Sequence, residues 1–489
     1  MCPHGVTLKY DQQNTLVRTP PKTTAQKLLL RLTLALRLIC TLRARLGRRQ
    51  RRIAGLEAEL RQYKCRFSPT PVAGHTYPAE MIGLAVHTVV HGNGSLRCAA
   101  KVAGYFSVLM GWKYTTPSHN TVSNWTKRLG LYALDHLSTT RVGKYVGIID
   151  ESIQIGREKC LLFLGIRLPD TYSRLRPLTM ADVEVLGVEV RQHWTGDEVE
   201  DFVRQRLAAH HPGIELQYMI SDGGTNLTKA LEQLQLDAVA DCSHVLMRAL
   251  KKLLAKHPAL MKLTAFMGTF RRQHLLSDRS ALCPATLRDK DRFLRIFVIL
   301  DWVKRIDLYW PQLPPAHRTM LKYLRTKRCR AFLAVLAQLR QVICLASAVL
   351  KTSGLNEGSQ RAWSRSLAAY RKEVKLCTMA EQLVQVVDNY FADHAGLWAL
   401  HGGRLHCCSD IIESTFGRYK NKGGMQAISA DVLAIPLYAR TIDLDFVVRG
   451  LTTVSQKHID QWHQTHPCHN RYSILRQLKS RAKRSMAAA

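Results

Sequence analysis

The sequence contains few acidic residues for its length. Among 489 residues it has 37 Asp and Glu against 71 Lys and Arg, which gives a formal net charge of +34. Such an excess favours a polyanionic partner, because each phosphate that a basic side chain neutralises releases condensed counterions. A ribosome-like binder, a membrane-surface protein and an enzyme that acts on DNA are all compatible with this charge.

The sequence also lacks paired cysteines and uninterrupted apolar runs. None of its 13 cysteines forms a CxxC pair, which argues against a zinc ribbon or finger. No signal peptide is visible, and scattered thiols suit a reducing compartment. Arg31 and Arg37 interrupt the Leu-rich run 28–42, so this run does not predict a membrane span. We expect a cytoplasmic protein.

What is present at the start of the chain is a heptad pattern. Residues 24–64 predict one long helix, in which apolar residues such as Leu32, Ile39, Leu46 and Ile53 recur in alternating steps of three and four. Such a stripe is buried best against another helix. The helix packs this stripe either on its own domain or against the same helix of a second copy of the chain, and we favour self-association. Region 1–66 is therefore predicted to be a basic coiled-coil helix.

Region 67–140 predicts a helix-turn-helix that binds DNA. Pro117 and Ser118 are helix-start signals, and Val122, Trp125 and Leu129 follow at helical spacing. Apolar residues would hold one side of this helix, while donors on the open face reach bases and phosphates. An ordinary amphipathic helix shows the same pattern, but the basic setting favours DNA binding. The predicted contacts are Asn120, Ser123, Asn124, Lys127 and Arg128.

The rest of the chain predicts an α/β core that is interrupted by helices. Region 141–256 predicts three successive strands, which are followed by a helix, a strand, a helix, a strand and a helix. This order suits a mixed five-stranded sheet flanked by helices. Region 257–404 has helical periodicity and predicts an all-α insertion. Its tryptophans either fill a core or stack on unpaired bases. Region 405–450 resumes the core, and 451–489 is predicted to be a basic tail.

Two aspartates follow strand-like runs. Asp150 ends "YVGIID", and Asp222 lies in "MISDGGTN", where an aspartate and glycines could equally form a plain turn. If the two strands are neighbours, both carboxylates project at one edge and repel each other unless a cation neutralises them. Oxygen ligands suit Mg²⁺ or Mn²⁺, and glycines permit a metal and a phosphodiester to approach closely.

This pattern resembles the RNase H-like DDE transposases and integrases, in particular bacterial insertion-sequence types with a helical insertion. In that family the first Asp lies on strand one, the second just past strand four, and the Glu on a later helix. "GIIDES", "ISDGGTN" and "DIIESTFGRYKNK" supply Asp150, Asp222 and Glu413. "DCSH" resembles a secondary signature with Asp241 and His244, and the resemblance places His244 near the scissile phosphate.

The resemblance implies an RNase H-like catalytic core and metal-dependent DNA strand cleavage at transposon ends, followed by strand transfer into target DNA. The triad would hold two Mg²⁺ or Mn²⁺ ions, which activate the attacking water or 3′-hydroxyl and stabilise the leaving oxygen. Expected partners are double-stranded DNA and further copies of the chain, at the nucleoid rather than at a membrane. Backbone phosphates would be held by Arg418, Lys420 and Lys422.

Several alternatives remain at this point. Glu151 could replace Asp150 as a ligand, although neighbours on a strand face opposite sides. Asp410 lies one helical turn before Glu413 and could replace it, although it suits the helix N-cap better. A non-catalytic DNA-binding protein derived from a transposase, or a structure-specific nuclease, would also fit parts of the pattern.

Overall fold

A computed structural model describes residues 24–66, 68–136, 142–153, 158–168, 176–286, 295–420 and 430–466, together with 293, 475, 478 and 479. These residues divide into two compact units. One contains the first helix through Pro69 together with Val108–Lys113, and the other contains Thr70–Ser107 and the chain from Tyr114 onwards. The predicted catalytic residues all belong to the second unit.

The first unit is dominated by one long helix, α1 (Thr24–Arg66), as the heptad pattern predicts. Its apolar stripe is exposed: Leu32, Ile39, Leu46 and Ile53 each retain between 44% and 59% of their accessible surface. A stripe of this kind leaves considerable apolar surface in contact with water.

The second unit begins with α2 (Ala79–Val90), with α3 (Leu96–Leu109) except for its last two residues, and with α4 (His119–Asp135). The Ser118 side chain caps α4 by accepting a hydrogen bond from the amide of Thr121 at 3.0 Å, so the predicted start of this helix is confirmed. The predicted apolar side of α4, Val122, Trp125 and Leu129, is buried.

Part of the other side of α4 is also covered. A 3₁₀ segment, Ala430–Ala439, packs against it. At Gly130 of α4 an added Cβ atom would lie only 1.6 Å from the carbonyl oxygen of Leu433, so this close approach requires glycine. The helix predicted to read DNA is therefore held between two parts of the protein.

The mixed five-stranded sheet that the sequence predicts is confirmed. Its strands run in the order β3-β2-β1-β4-β5. β2 pairs antiparallel with both β1 and β3, whereas β4 pairs parallel with both β1 and β5. The strands are β1 (Gly143–Ile153), β2 (Lys159–Arg167), β3 (Glu184–Arg191), β4 (Ile214–Ser221) and β5 (Asp237–Ala240).

Helices cover the sheet and create its core. α5 (Gly196–His210) and α6 (Thr225–Gln233) pack on one face, where Phe202 and Leu227 meet Phe163 and Met219 of the strands. α7 (Cys242–Leu254) follows β5 directly. Because β4 and β5 are joined by the helical crossover α6, they can lie parallel.

The region between α7 and the Glu413 helix is helical, as predicted. The only β contact among its described residues is an isolated bridge between Leu355 and Leu405. Its helices are α8 (Pro258–His274), α9 (Ile296–Tyr309), α10 (Pro315–Leu321), α11 (Lys327–Ser353), α12 (Glu357–Glu373), α13 (Thr378–Asp393) and α14 (Ala395–Leu400).

The longest of these helices, α11, is long and apolar enough to cross a membrane by length and composition alone. It packs against α7, α8, α9, α12 and α13, which is the environment of a central helix in a helical domain. The core helix of a protein that folds in water passes the same test.

Most tryptophans of this helical region serve as core residues. Trp302, Trp363 and Trp398 are buried, and the indole nitrogen of Trp363 donates to Asp388 at 2.7 Å. Trp310 is only partly buried and lies 4.5 Å below the Arg325 guanidinium. The first three are therefore not available to stack on DNA bases.

The last described helices are α15 (Asp410–Lys420), α16 (Leu444–Thr453) and α17 (Gln456–Thr465). α17 packs against α4 and buries Ile459 and Trp462. Residues 451–466, the first part of the region predicted to be a basic tail, are therefore anchored to the second unit by apolar positions at helical spacing. The basic residues Arg476, Arg481, Lys483 and Arg484 lie outside the described residues.

Candidate active site

The two aspartates follow the last paired residues of two neighbouring strands. β1 and β4 are neighbours in parallel register, and the last pair along them is Ile149 with Ser221. The next residues along the chain are Asp150, still on β1, and Asp222, just after β4. One detail differs from the prediction: β1 does not end at Asp150 but continues to Ile153, because it still pairs with β2 there.

Four ionisable groups converge at this edge of the sheet. Burial, followed by the neighbouring carboxylates of Asp222 and Glu413, raises the pKa of Asp150 to about 7, although the backbone hydrogen bond from Glu151 and the charge of His244 act in the opposite direction. Such electrostatic effects require Asp222, Glu413 and His244 to lie near Asp150. These are the four residues that the sequence singles out.

The stretch after β4 is a tight turn. Gly223 adopts a φ of +72°, which favours glycine, and the Asp222 carboxylate accepts a hydrogen bond from the amide of Gly224 at 2.7 Å. The Arg248 guanidinium donates to the carbonyl of Asp222 and lies against Gly223. Asp222 and the two glycines therefore do form a turn, and this turn also holds the Asp222 carboxylate near Asp150.

The alternative ligand Glu151 is engaged elsewhere. Its carboxylate accepts a hydrogen bond from the Lys159 ammonium on β2 at 2.6 Å. Its backbone amide donates to the carboxylate of Asp150 at 2.7 Å and so helps to orient that group. Asp150 is the one of the two that shares an environment with Asp222 and Glu413.

Asp410 is also engaged in a different contact. α15 begins at Asp410 itself, so this residue is the first of the helix rather than the N-cap that we expected. Its carboxylate accepts hydrogen bonds from the Ser243 hydroxyl at 3.0 Å and from the Lys351 ammonium. Glu413, one turn further along, is exposed and lies close to Asp150.

Asp241 connects the helices that carry His244 and Glu413. It is fully buried at the N-terminus of α7, where one carboxylate oxygen accepts from the amide of His244 at 2.7 Å and lies 3.2 Å from the imidazole Nδ1. The other oxygen accepts from the hydroxyl of Ser409, just before α15, at 2.6 Å. Burial by itself raises the pKa of Asp241, but the hydrogen bonds from His244 and Ser409 outweigh it and lower the pKa to about 2.

A group of thiols lies next to Asp241. The neighbouring Cys242 thiol together with burial raises the pKa of the Cys408 thiol well above its usual range. The ligand atoms of Asp241, Cys408 and Asp410 lie within 4.8 Å of one another, close enough to hold a metal ion. The Lys351 ammonium already supplies a positive charge there, since it is paired with Asp410.

The predicted DNA-binding face of α4 is only partly open. Asn120 and Asn124 are exposed. Ser123 is buried, with its hydroxyl 3.3 Å from the Asp431 carboxylate, and Lys127 pairs with the same carboxylate at 3.3 Å. For Ser123 and Lys127 the expectation of an open face is wrong, because the segment Ala430–Ala439 covers them.

Two arginines that were expected to contact DNA are also engaged within the protein. Arg128 donates to the carbonyl of Val454 at 2.6 Å, and Arg418 donates to the carbonyl of Val90 and lies 4.8 Å above the Tyr438 ring. Both guanidinium groups therefore serve contacts within the protein rather than an open DNA-binding surface. Lys420 is exposed beside Phe416, and Lys422 lies outside the described residues.

Two basic residues beside the site were not predicted. Arg248 follows His244 by four residues on α7, a spacing that places both on one side of the helix and could have been noticed in the sequence. Lys351 lies on α11, and no feature of the sequence connects it with Asp410.

No protein-family model matches the chain, and no curated protein matches it. Function is therefore inferred from the geometry of Asp150, Asp222, Glu413 and His244 and from the charge of the chain.

Proposed function

We propose that the chain is a DDE transposase with an RNase H-like core, which cleaves DNA at transposon ends and joins those ends to target DNA. The observation that carries the proposal is the convergence of Asp150 on β1, Asp222 just past β4 and Glu413 on a later helix. This is the order and placement of acids in the family that the sequence resembles. The mixed sheet and the helical region between α7 and α15 support the same assignment.

The acids fit a pair of divalent cations. Asp150, Asp222 and Glu413 offer only oxygen ligands. Burial and then the neighbouring carboxylates raise the pKa of Asp150, and a bound cation would relieve the repulsion between these acids. Mg²⁺ or Mn²⁺ would supply Lewis acidity at the attacking and leaving oxygens of a phosphodiester. In this proposal Asp150, Asp222 and Glu413 are the metal ligands.

Other side chains of the chain orient and neutralise the reacting groups. Asp241 orients the imidazole of His244 through its contact with Nδ1, and we assign His244 a role in orienting the scissile phosphate beside Asp150. Arg248, exposed on the same side of α7, can hold the phosphate next to it. The net charge of +34 supplies the remaining attraction to DNA, and we place the protein at the nucleoid in the cytoplasm.

The exposed stripe of α1 supports an assembly of two or more copies. Two copies of such a helix would bury their stripes against each other in a coiled coil. Joining two transposon ends requires two active sites to be held together, and a dimer provides this.

The direct test uses the full-length protein and end-labelled duplexes taken from the DNA that flanks its own coding sequence. With Mg²⁺ or Mn²⁺ we expect strand cleavage at one position in each flank, followed by joining to a supercoiled target plasmid. Cleavage without any joining, in the presence of target DNA, would contradict the proposal.

A structure-specific nuclease is the second candidate, and one observation favours it. Ser123, Lys127 and Arg128 are occupied within the protein, so α4 offers fewer side chains for reading DNA sequence than a recognition helix needs. A nuclease would cut branched or flapped duplexes in preference to the flanking DNA. Comparing both substrates in one assay separates the two activities. A non-catalytic DNA-binding protein would bind these substrates and cut neither of them.

A further inference from the structure

The end of α11 forms a junction with the segment that leads into the Glu413 helix. Leu355 and Leu405 exchange two backbone hydrogen bonds, of 2.8 and 2.9 Å. Arg404 is buried and donates to the carbonyl of Thr352 at 3.0 Å. The helical region is therefore attached to the chain just before α15 by backbone as well as side-chain contacts.

An ion pair closes this junction. Lys351, near the end of α11, pairs with Asp410, the first residue of α15, while Ser243 at the start of α7 donates to the other oxygen of Asp410 at 3.0 Å. The Lys351 side chain retains 26% exposure. Burial by itself lowers the pKa of Lys351, but the ion pair with Asp410 outweighs this and raises it. Three helices thus meet at one carboxylate.

Glu413 follows Asp410 by three residues, which is slightly less than one helical turn. The position of Asp410 therefore sets both the rotation of α15 and its distance from β1, against which α15 packs. We propose that Lys351 is a positioning residue: through Asp410 it holds Glu413 where its carboxylate meets Asp150 and Asp222. This inference rests on the proposed metal centre, and it gives the helical region a role in assembling that centre.

The experiment measures Mn²⁺ binding to the full-length protein by electron paramagnetic resonance, without DNA. Lys351→Met should weaken Mn²⁺ binding about 10- to 100-fold, as is typical when a residue that orients a metal ligand is lost. Lys351→Arg keeps the charge and should bind nearly as the wild type does. Arg340→Met is the matched control, because Arg340 also lies on α11 but pairs with Asp301 of α9; it should leave binding unchanged.

Asp410→Asn provides a second route to the same answer if Lys351→Met does not fold. It removes the ion pair but retains a side chain that can accept from Ser243, and it should show the same loss of Mn²⁺ affinity. Wild-type affinity in folded Lys351→Met or in Asp410→Asn would overturn the inference, as would an equal loss in Arg340→Met. If the wild type binds no Mn²⁺, this inference and the proposed metal centre fail together. Mn²⁺ binding without DNA cleavage would count against the proposed function alone.

Discussion

Asp241 and Ser409 are hydrogen-bonded through both the amide and the hydroxyl of the serine, although they are 168 residues apart in the sequence. The same carboxylate holds the first turn of α7 through the amide of His244. A single buried group therefore sets the relative positions of the helices that carry His244 and Glu413.

We expect Asp241→Ala to destabilise the protein, because it leaves the buried hydroxyl and amide donors around it without an acceptor. The free energy of unfolding should fall by about 1–3 kcal/mol or more, measured by urea denaturation. Asp301→Ala is the control, because Asp301 forms an exposed ion pair with Arg340 and such pairs contribute little. Equal stability of the two variants would show that Asp241 does not hold this junction.

Substitutions of the acids test the proposed active site. Asp150→Ala, Asp222→Ala and Glu413→Ala should each abolish DNA cleavage and joining while DNA binding, measured by gel shift, stays nearly unchanged. The reason is that the carboxylates hold metal, whereas affinity for DNA comes from basic side chains. Glu151→Gln is the matched control, since Glu151 pairs with Lys159 and should be dispensable for cleavage. Cleavage by Glu413→Gln together with its loss in Glu151→Gln would show that the acids are wrongly assigned.

The sequence predicts local features of the fold well. Alternating and helical spacing locate the five strands and most helices. Asp150 on β1 and Asp222 just after β4 come together once these strands are taken as neighbours. The continuation of β1 to Ile153 was not predictable from the strand itself. It depends on pairing with β2, which begins at Lys159.

Contacts between distant segments account for the remaining differences. The polar side of α4 looks open in the sequence, yet Ser123 and Lys127 meet Asp431, which lies about 300 residues later. Asp410 suits an N-cap by local rules, but Lys351 and Ser243 occupy its carboxylate. Local patterns identify which side chains are polar, whereas the choice of partner is made by the tertiary fold.

The exposed stripe of α1 leads to a prediction about assembly. Glu substituted at both Ile39 and Leu46 places charges in the stripe and should convert a dimer or larger assembly to a monomer, measured by light scattering of the full-length protein. Thr41→Glu is the control, because Thr41 is exposed on α1 outside the stripe. A wild-type protein that is already monomeric would exclude the coiled coil.

The raised pKa of Asp150 leads to a pH dependence of stability. Its pKa is about 7 in the folded protein against an ordinary value of 3.8, so the folded state retains a proton that the unfolded state releases. This contribution to stability is fully present below pH 3.8 and is lost as the pH rises through 7. Without divalent cations, the melting temperature should therefore fall by a few degrees, on the order expected for 1–2 kcal/mol, between pH 5.5 and 8.

Asp150→Asn should flatten this dependence of the melting temperature on pH. Mg²⁺ should stabilise the wild type more at pH 8 than at pH 5.5, because protons compete with the cation. Scanning calorimetry of both proteins at the two pH values, with and without Mg²⁺, measures each effect. An identical pH dependence in Asp150→Asn would show that another group is responsible.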